Sequence, residues 1–286
     1  MLNRYFAILK GAKAKYLTAN LDGLYQRALE LYSPCILCER KCKVNRPEQA
    51  GFCGVRSSRI ASMFVHWGEE PELIPSGTIF FSGCNFYCVY CQNWDIARFP
   101  QVGEVVDPAR VAHWIETAQI KNVNFVGGEP TPHLPAIIDI LRHCKRNLPV
   151  IWNSNMYMSK KCMEILNRFV DVYLGDFRYG NDDCAKKLSN VPKYTRVVKR
   201  NFKLADGDLL IRILLLPGHI DCCAKPILRW IRRNCPDAYV NILTQYRPEF
   251  VAYRYPELNR TLNFEEITKI EDFIGKLNLN TKIQKY

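Results

Sequence analysis

Seven of the chain's thirteen cysteines fall before residue 92 in two tight groups, and the other six are scattered over the remaining two thirds. Cys35, Cys38, Cys42 and Cys53 stand in CILCERKCKVNRPEQAGFCG, and Cys84, Cys88 and Cys91 in CNFYCVYCQN. Thiols spaced this closely demand compact loops on which the side chains converge. A secreted disulfide framework is the first explanation to weigh. The N-terminus offers only about five apolar residues in a row, against the roughly 7–15 of an export signal. The cysteine number is odd, and 286 residues bury a full core without disulfides. A reducing, cytoplasmic setting is the expectation, and there clustered cysteines bind metal more often than they pair. With 48% hydrophobic and 12% aromatic residues the chain is not a disordered segment. No apolar run nears the roughly 18 residues of a membrane span, so no membrane association is expected.

The second group has the spacing C-x3-C-x2-C and follows the strand-like run Thr78-Ile79-Phe80-Phe81. Three thiolates are one short of the four that complete an ordinary cubane cluster. A [4Fe–4S] cluster held this way leaves one iron open to a chelating amine and carboxylate; a zinc loop or three core thiols are the plainer alternatives. The first group, C-x2-C-x3-C-x10-C, supplies four thiols within 19 residues, the closed number for structural Zn²⁺ or for a second [4Fe–4S] cluster. Arg40, Lys41, Lys43 and Arg46 would partly offset the charge of either. A cluster there could relay electrons, whereas zinc would staple a small segment onto the main body. Further on, the strand-like run Val123-Asn124-Phe125-Val126 ends in Gly127-Gly128-Glu129-Pro130, 36 residues past Cys91. Glycine lets the backbone approach a ligand closely, and a carboxylate supplies a charge-assisted acceptor.

From Thr78 onward strand-like and helix-like stretches alternate. Strands are expected over 78–83, 122–127, 149–154, 170–176, 209–215 and 239–244. Between them lie helices with apolar residues spaced i, i+3, i+4, i+7, as in Val111, Trp114, Ile115 and Ala118 after the Asp107-Pro108 start. Such alternation implies a parallel sheet. About 200 residues remain after Thr78, too few for a closed eight-stranded barrel of about 250 residues. The predicted fold class is therefore α/β, a partial (β/α)6 barrel, with loops at the C-terminal strand ends carrying the chemistry. Residues 1–57 form a helical and cysteine-rich metal-binding segment in this reading, and 58–286 the barrel, closed by a helix over Phe264 to Leu277 and ending in a frayed tail from Lys282 to Tyr286.

The triplet Cys84, Cys88 and Cys91, followed by Gly-Gly-Glu at a strand end, resembles the radical S-adenosylmethionine (SAM) superfamily. Four further segments resemble a narrower branch, similar to the pyruvate formate-lyase activating enzyme, that carries an extra cysteine-rich N-terminal segment. They are WNSNMYMS at 152–159, YLGDFRYGND at 173–182, LPGHIDCC at 216–223 and QYRP at 245–248. The resemblance runs from about residue 30 to 275.

It implies that Cys84, Cys88 and Cys91 hold a [4Fe–4S] cluster that reductively cleaves SAM to a 5′-deoxyadenosyl radical, with Tyr90 near the adenine. Gly127, Gly128 and Glu129 would receive the SAM ammonium, and Arg212 would lie near its carboxylate. Asp176 and Arg178 stand where the activating enzyme has an Asp-Leu-Lys triplet touching SAM; arginine replaces lysine here, and the two bond differently. Asn153 and Ser154 could bond the ribose hydroxyls, and for each of these polar residues the plain alternative is a structural hydrogen bond. His219 is placed with the cofactor-binding residues, where it faces substrate or simply caps a loop. Cys222 and Cys223 open a helix and either donate hydrogen, bind substrate or simply pack, since adjacent cysteines make poor co-ligands of one metal.

The resemblance also implies an electron donor of flavodoxin or ferredoxin type and, as leading substrate, a residue of a partner protein. The formal net charge of +12 raises RNA as a second substrate class, and a small molecule is a third. A non-catalytic zinc-binding adaptor is the distant alternative; it requires neither the Gly-Gly-Glu turn nor its place at a strand end.

Overall fold

A computed structural model describes residues 2–46, 48–277, 279 and 281–284. Two helices lead the chain, α1 (Asn3–Leu9) and α2 (Leu21–Tyr32). Strand β1 (Arg59–His66) runs antiparallel to β2 (Ser76–Phe81), pairing Met63 with Ile79 and His66 with Ser76. After the short helix α3 (Trp94–Ala97), the two-residue strand β3 (Glu104–Val105) flanks β1 at the sheet edge.

A repeating unit follows: α4 (Pro108–Thr117), β4 (Asn122–Gly127), α5 (Leu134–Arg142), β5 (Val150–Ser154), α6 (Lys160–Leu166) and β6 (Val172–Asp176). Then come α7 (Asp182–Ser189), α8 (Tyr194–Leu204), β7 (Asp208–Leu214), α9 (Lys225–Asn234), β8 (Tyr239–Leu243), α10 (Phe264–Gly275) and β9 (Thr281–Gln284). The six strands β2, β4, β5, β6, β7 and β8 are parallel and consecutive in one open sheet ordered β3-β1-β2-β4-β5-β6-β7-β8-β9. This is the expected α/β partial barrel, widened by β1 and β3 on one edge. The other edge corrects the expectation of a frayed tail: Thr281–Gln284 adds a parallel strand to β8, while residues 285 and 286 lie outside the described residues.

Local sequence explains most of these boundaries. Asp107 accepts a hydrogen bond from Arg110 N at 3.1 Å and Pro108 occupies the first turn, so α4 starts where the sequence marks it. Helix α10 begins in a reciprocal box between Asn263 and Glu266.

The period of two along each strand sorts residues to the two faces of the sheet. On β6 the residues Val172, Leu174 and Asp176 alternate with Tyr173, and on β7 Leu210 and Arg212 alternate with Ile211. Leu2, Tyr5, Leu73, Ile151, Val172, Leu174 and Leu210 form a separate apolar cluster. This cluster floors one end of the curled sheet. Farther along the same rows, Asn153, Asp176 and Arg212 line a cavity beyond the strand ends. Each inward row therefore passes from apolar to polar toward the C-terminal end of its strand.

Candidate active site

The loop after β2 carries Cys84, Cys88 and Cys91, and all three line a cavity of about 420 Å³. Backbone bonds fix the loop against α7: Tyr87 N donates to Ser189 O at 3.0 Å and Val89 N to Leu188 O at 2.9 Å. Side chains extend the same seam. Ser189 Oγ donates to Cys88 Sγ at 2.9 Å, Tyr179 and Ser189 hydroxyls are 2.5 Å apart, and Tyr90 and Tyr179 hydroxyls are 2.7 Å apart. Tyr90 is buried and lines the cavity.

Glu129 ends the turn after β4, deep in the same cavity. Its carboxylate accepts from Thr131 N at 3.2 Å, from Thr131 Oγ1, from Ser154 Oγ at 2.7 Å and from Asn155 N at 3.0 Å. Every one of these donors is neutral, and among the described residues no lysine or arginine pairs with it. Burial raises the Glu129 carboxyl above its ordinary value, against the pull of those hydrogen bonds. Gly127, at φ +124°, and Gly128 both line the cavity, but the direction a side chain would take is blocked. A Cβ on Gly127 would lie 2.2 Å from Phe81 N, and one on Gly128 2.3 Å from Gly83 O. The two glycines let the end of β4 close on the end of β2, leaving their backbone to face the cavity.

Asn153, Ser154, Asp176, Arg178 and Arg212 line the same cavity. Arg178 pairs with Asp176 at 2.5 Å, while its Nε is buried without a hydrogen-bond partner. Arg212 reaches inward to two carboxylates that sequence reasoning missed. Its Nε donates to Glu70 Oε1 at 2.7 Å and its Nη2 to Glu70 Oε2 at 2.6 Å, with Glu69 bonded to Nη2 as well. Glu69 also takes His66 Nδ1 at 3.2 Å and Asn124 Nδ2 at 3.1 Å. Burial alone would raise the Glu69 carboxyl; the Arg212 guanidinium and His66 outweigh it and hold it at about 2.

Because that value is depressed from 4.5, the stabilisation is complete above the unfolded value and is lost as pH falls toward about 2. Arg212→Leu leaves buried Glu70 without an ionic partner and Glu69 with His66 alone, and is expected to cost about 3–5 kcal/mol at neutral pH. Urea unfolding at pH 7 and pH 3 should show the gap between wild type and variant narrowing at the lower pH. A gap independent of pH would contradict this account of the pair.

His219 corrects the expectation of a cofactor-contacting residue. The Pro217-Gly218 turn carries it past the strand end and out of the cavity, and its ring stands 3.6 Å from Cys184 Sγ and 3.3 Å from Cys222 Sγ. Cys222 and Cys223 lie in a π-helical turn, Ile220–Ala224, that precedes α9.

The four N-terminal cysteines come together as expected: Cys35, Cys38, Cys42 and Cys53 line a small second cavity. Lys41 and Lys43 take positive φ on either side of Cys42, which tightens the loop enough to bring its thiol in. Arg46, buried, donates to Cys53 Sγ at 2.8 Å. Asn85 and Thr131 also line this cavity, so it abuts both the Cys84 loop and the Glu129 turn. Further residues of the main cavity that the sequence does not single out are His66, Glu69, Glu70, Gln92, Asn155 and Gln245. Asn155 and Gln245 lie in segments marked by resemblance; the two acids read as an ordinary solvated run.

Comparisons with known proteins agree with this geometry. A family described as the Radical SAM superfamily matches residues 78–231, more than half of the chain. Uncharacterized protein MJ0674 of Methanocaldococcus jannaschii is 44% identical over 276 residues, covering 93% of this chain and 82% of that protein. Among solved structures, Streptococcus suis SuiB bound to its precursor peptide SuiA aligns at TM-score 0.53 and 13% identity over 71% of this chain, which spans 46% of the SuiB chain. A spore photoproduct lyase with a dinucleoside spore photoproduct aligns at TM-score 0.53 and 11% identity, covering 94% of this chain and 96% of that one.

Proposed function

This chain belongs to the radical SAM superfamily and is an enzyme of that family, and from this premise we propose that its main cavity binds a [4Fe–4S] cluster and SAM to abstract hydrogen from a partner protein. The observation that carries the reading is the convergence of three cysteine thiols and Glu129 on one cavity at the C-terminal ends of parallel strands. The cavity suits the pair that membership implies. Cys84, Cys88 and Cys91 would hold the cluster and leave one iron without a protein ligand. Glu129, a buried carboxylate bonded only by neutral donors, would take the SAM ammonium. Arg178 Nε and Gln245 Oε1, buried in the structure without partners, supply further polar positions. When bound, the cluster and SAM supply one-electron hydrogen-abstraction chemistry.

The chain's own residues orient the ligands and keep water out. Tyr90 closes one wall, Asn153 and Ser154 present polar atoms from the end of β5, and Asp176 fixes the Arg178 head. Arg212 acts chiefly on protein groups: its guanidinium is engaged by Glu69 and Glu70, so any SAM carboxylate meets an arginine already neutralised.

A second groove of about 650 Å³ supports a macromolecular substrate. It is lined by Thr244, Tyr246 and Arg247 and shares Gln92 and Gln245 with the SAM cavity. At the outside of the cysteine loop, Tyr87, Trp94 and Phe99 are exposed, and Trp94 stacks on Phe250 at 5.9 Å. In this reading a segment of a partner protein lies along the groove with the exposed rings as its rim, much as SuiB is solved with a precursor peptide. The four N-terminal thiols would hold a second [4Fe–4S] cluster, which would supply electron relay from a flavodoxin- or ferredoxin-type donor.

The substrate reading is tested by mass spectrometry of proteome and RNA from a strain carrying the protein and a strain carrying Cys88→Ala. The expected result is a peptide modification that disappears in the variant. A lost RNA modification with an unchanged proteome, joined to RNA binding that weakens steeply with salt, would overturn it.

A further inference from the structure

Thirty-five residues separate Cys184 from His219, yet the fold brings their ligating atoms into one cluster with Cys222 and Cys223. The four lie within 4.8 Å of one another. Individual separations are 3.6 Å from Cys184 Sγ to His219 Nδ1, 3.3 Å from Cys222 Sγ to His219 Nδ1, 3.9 Å between the Cys184 and Cys222 sulfurs, and 3.8 Å between those of Cys222 and Cys223. A tetrahedral ion with bonds of about 2.3 Å to sulfur and about 2.05 Å to nitrogen has edges of about 3.8 Å between sulfurs and about 3.5 Å between sulfur and nitrogen. Four of the six pairwise spacings match a single ion's coordination shell, and the other two lie within 4.8 Å.

We propose that Cys184, His219, Cys222 and Cys223 form a structural zinc site, separate from the SAM cavity and from the four N-terminal cysteines.

Three features of the chain build the site. First, the ligands His219, Cys222 and Cys223 stand at i, i+3 and i+4, the spacing that puts side chains on one helical face. The π-helical turn there, with both Cys223 N and Ala224 N bonded to His219 O, brings both adjacent cysteines to that face. This removes the objection that neighbouring cysteines cannot serve one metal. Second, Asn181 caps α7 by accepting from Cys184 N at 2.8 Å, and its amide donates to Cys222 O at 3.0 Å and contacts Cys223 Sγ at 3.9 Å. Such an outer bond to a ligand sulfur orients it. Third, Gly180 leaves room for the turn: a Cβ there would lie 2.7 Å from Cys222 O and 2.8 Å from Cys223 O.

Three thiolates and one imidazole close a four-ligand shell, the signature of a structural rather than a catalytic ion, and a borderline-soft donor set of this kind selects zinc. Binding releases three thiol protons and leaves a site of net charge −1. The ion would fasten the start of α7 to the turn after β7. The far end of α7 is where Ser189 touches Cys88, so the site would anchor the helix on which the cluster loop rests.

The test is the metal content of the full chain, purified without oxygen from zinc-containing medium, and it reads independently of any SAM chemistry. The double variant Cys184→Ser, Cys222→Ser should lose about one zinc per chain relative to wild type, with iron unchanged, while His219→Cys, which keeps four ligands, should retain it. A Co²⁺-loaded wild type should show tetrahedral thiolate bands that shift in His219→Cys. That comparison reads the site without relying on the double variant folding. Zinc absent from wild type, zinc unaffected by the double variant, zinc lost only on replacing Cys35 and Cys38, or Co²⁺ spectra identical between wild type and His219→Cys would each overturn the proposal.

Discussion

Cys88→Ala should lose about four irons per chain and, with them, all reductive cleavage of SAM. The expectation follows from the ligand count, because a cluster already held by three thiolates has no spare ligand to give up. Cys88 is also held by the surrounding protein: it is buried, and Ser189 donates to its sulfur at 2.9 Å. Wild type in this account carries about eight irons, four at the triplet and four at Cys35, Cys38, Cys42 and Cys53, so the variant should keep about four and remain folded. Iron analysis and electron paramagnetic resonance of the reduced protein check this. Full retention of iron in the variant would contradict the assignment of the triplet.

Glu129→Gln should weaken SAM binding about 10- to 100-fold, because a charge-assisted hydrogen bond contributes roughly 1.5–3 kcal/mol where its neutral replacement contributes less. Glutamine keeps one oxygen for Thr131 and Ser154 Oγ, which bond Oε1, and gives up only the bond from Asn155 N to Oε2, so the turn that joins the ends of β4 and β5 should survive. Iron content should therefore match wild type while the SAM Kd rises. Calorimetric titration of SAM into both proteins decides the matter, and equal affinities would remove Glu129 from the ammonium site.

Much of the fold is legible in the sequence itself. The six parallel strands announce themselves because each is a short, buried, β-branched or aromatic run followed by an amphipathic helix, a pattern that only a parallel sheet satisfies. The triplet and Gly-Gly-Glu are legible because their chemistry depends on local spacing. What escapes a reading of the sequence lacks such a signature. Strand β9 has one apolar residue, Ile283, and joins the sheet through backbone pairing with β8. Strand β1 borders the sheet with a mixed face, buried at Ile60 and exposed at Phe64.

The acids Glu69 and Glu70 look solvated in sequence, and only the fold shows that Arg212, more than 140 residues away, makes their burial tolerable. The place of His219 is hidden for a related reason. Its neighbours Cys222 and Cys223 are visible in sequence, but Cys184 reaches the same point from another helix, and no spacing rule links the two. The inward rows of β6 and β7 are readable in principle: Val172-Leu174-Asp176 and Leu210-Arg212 turn polar toward their C-terminal ends, the direction in which the cavity lies.

Radical SAM chemistry in this cavity is read out by the release of 5′-deoxyadenosine. Protein reconstituted without oxygen, given SAM and a strong one-electron reductant, should produce 5′-deoxyadenosine and methionine in equal amounts, and the Cys88→Ala protein should produce neither. A wild-type protein with its iron intact that leaves SAM uncleaved would contradict the account.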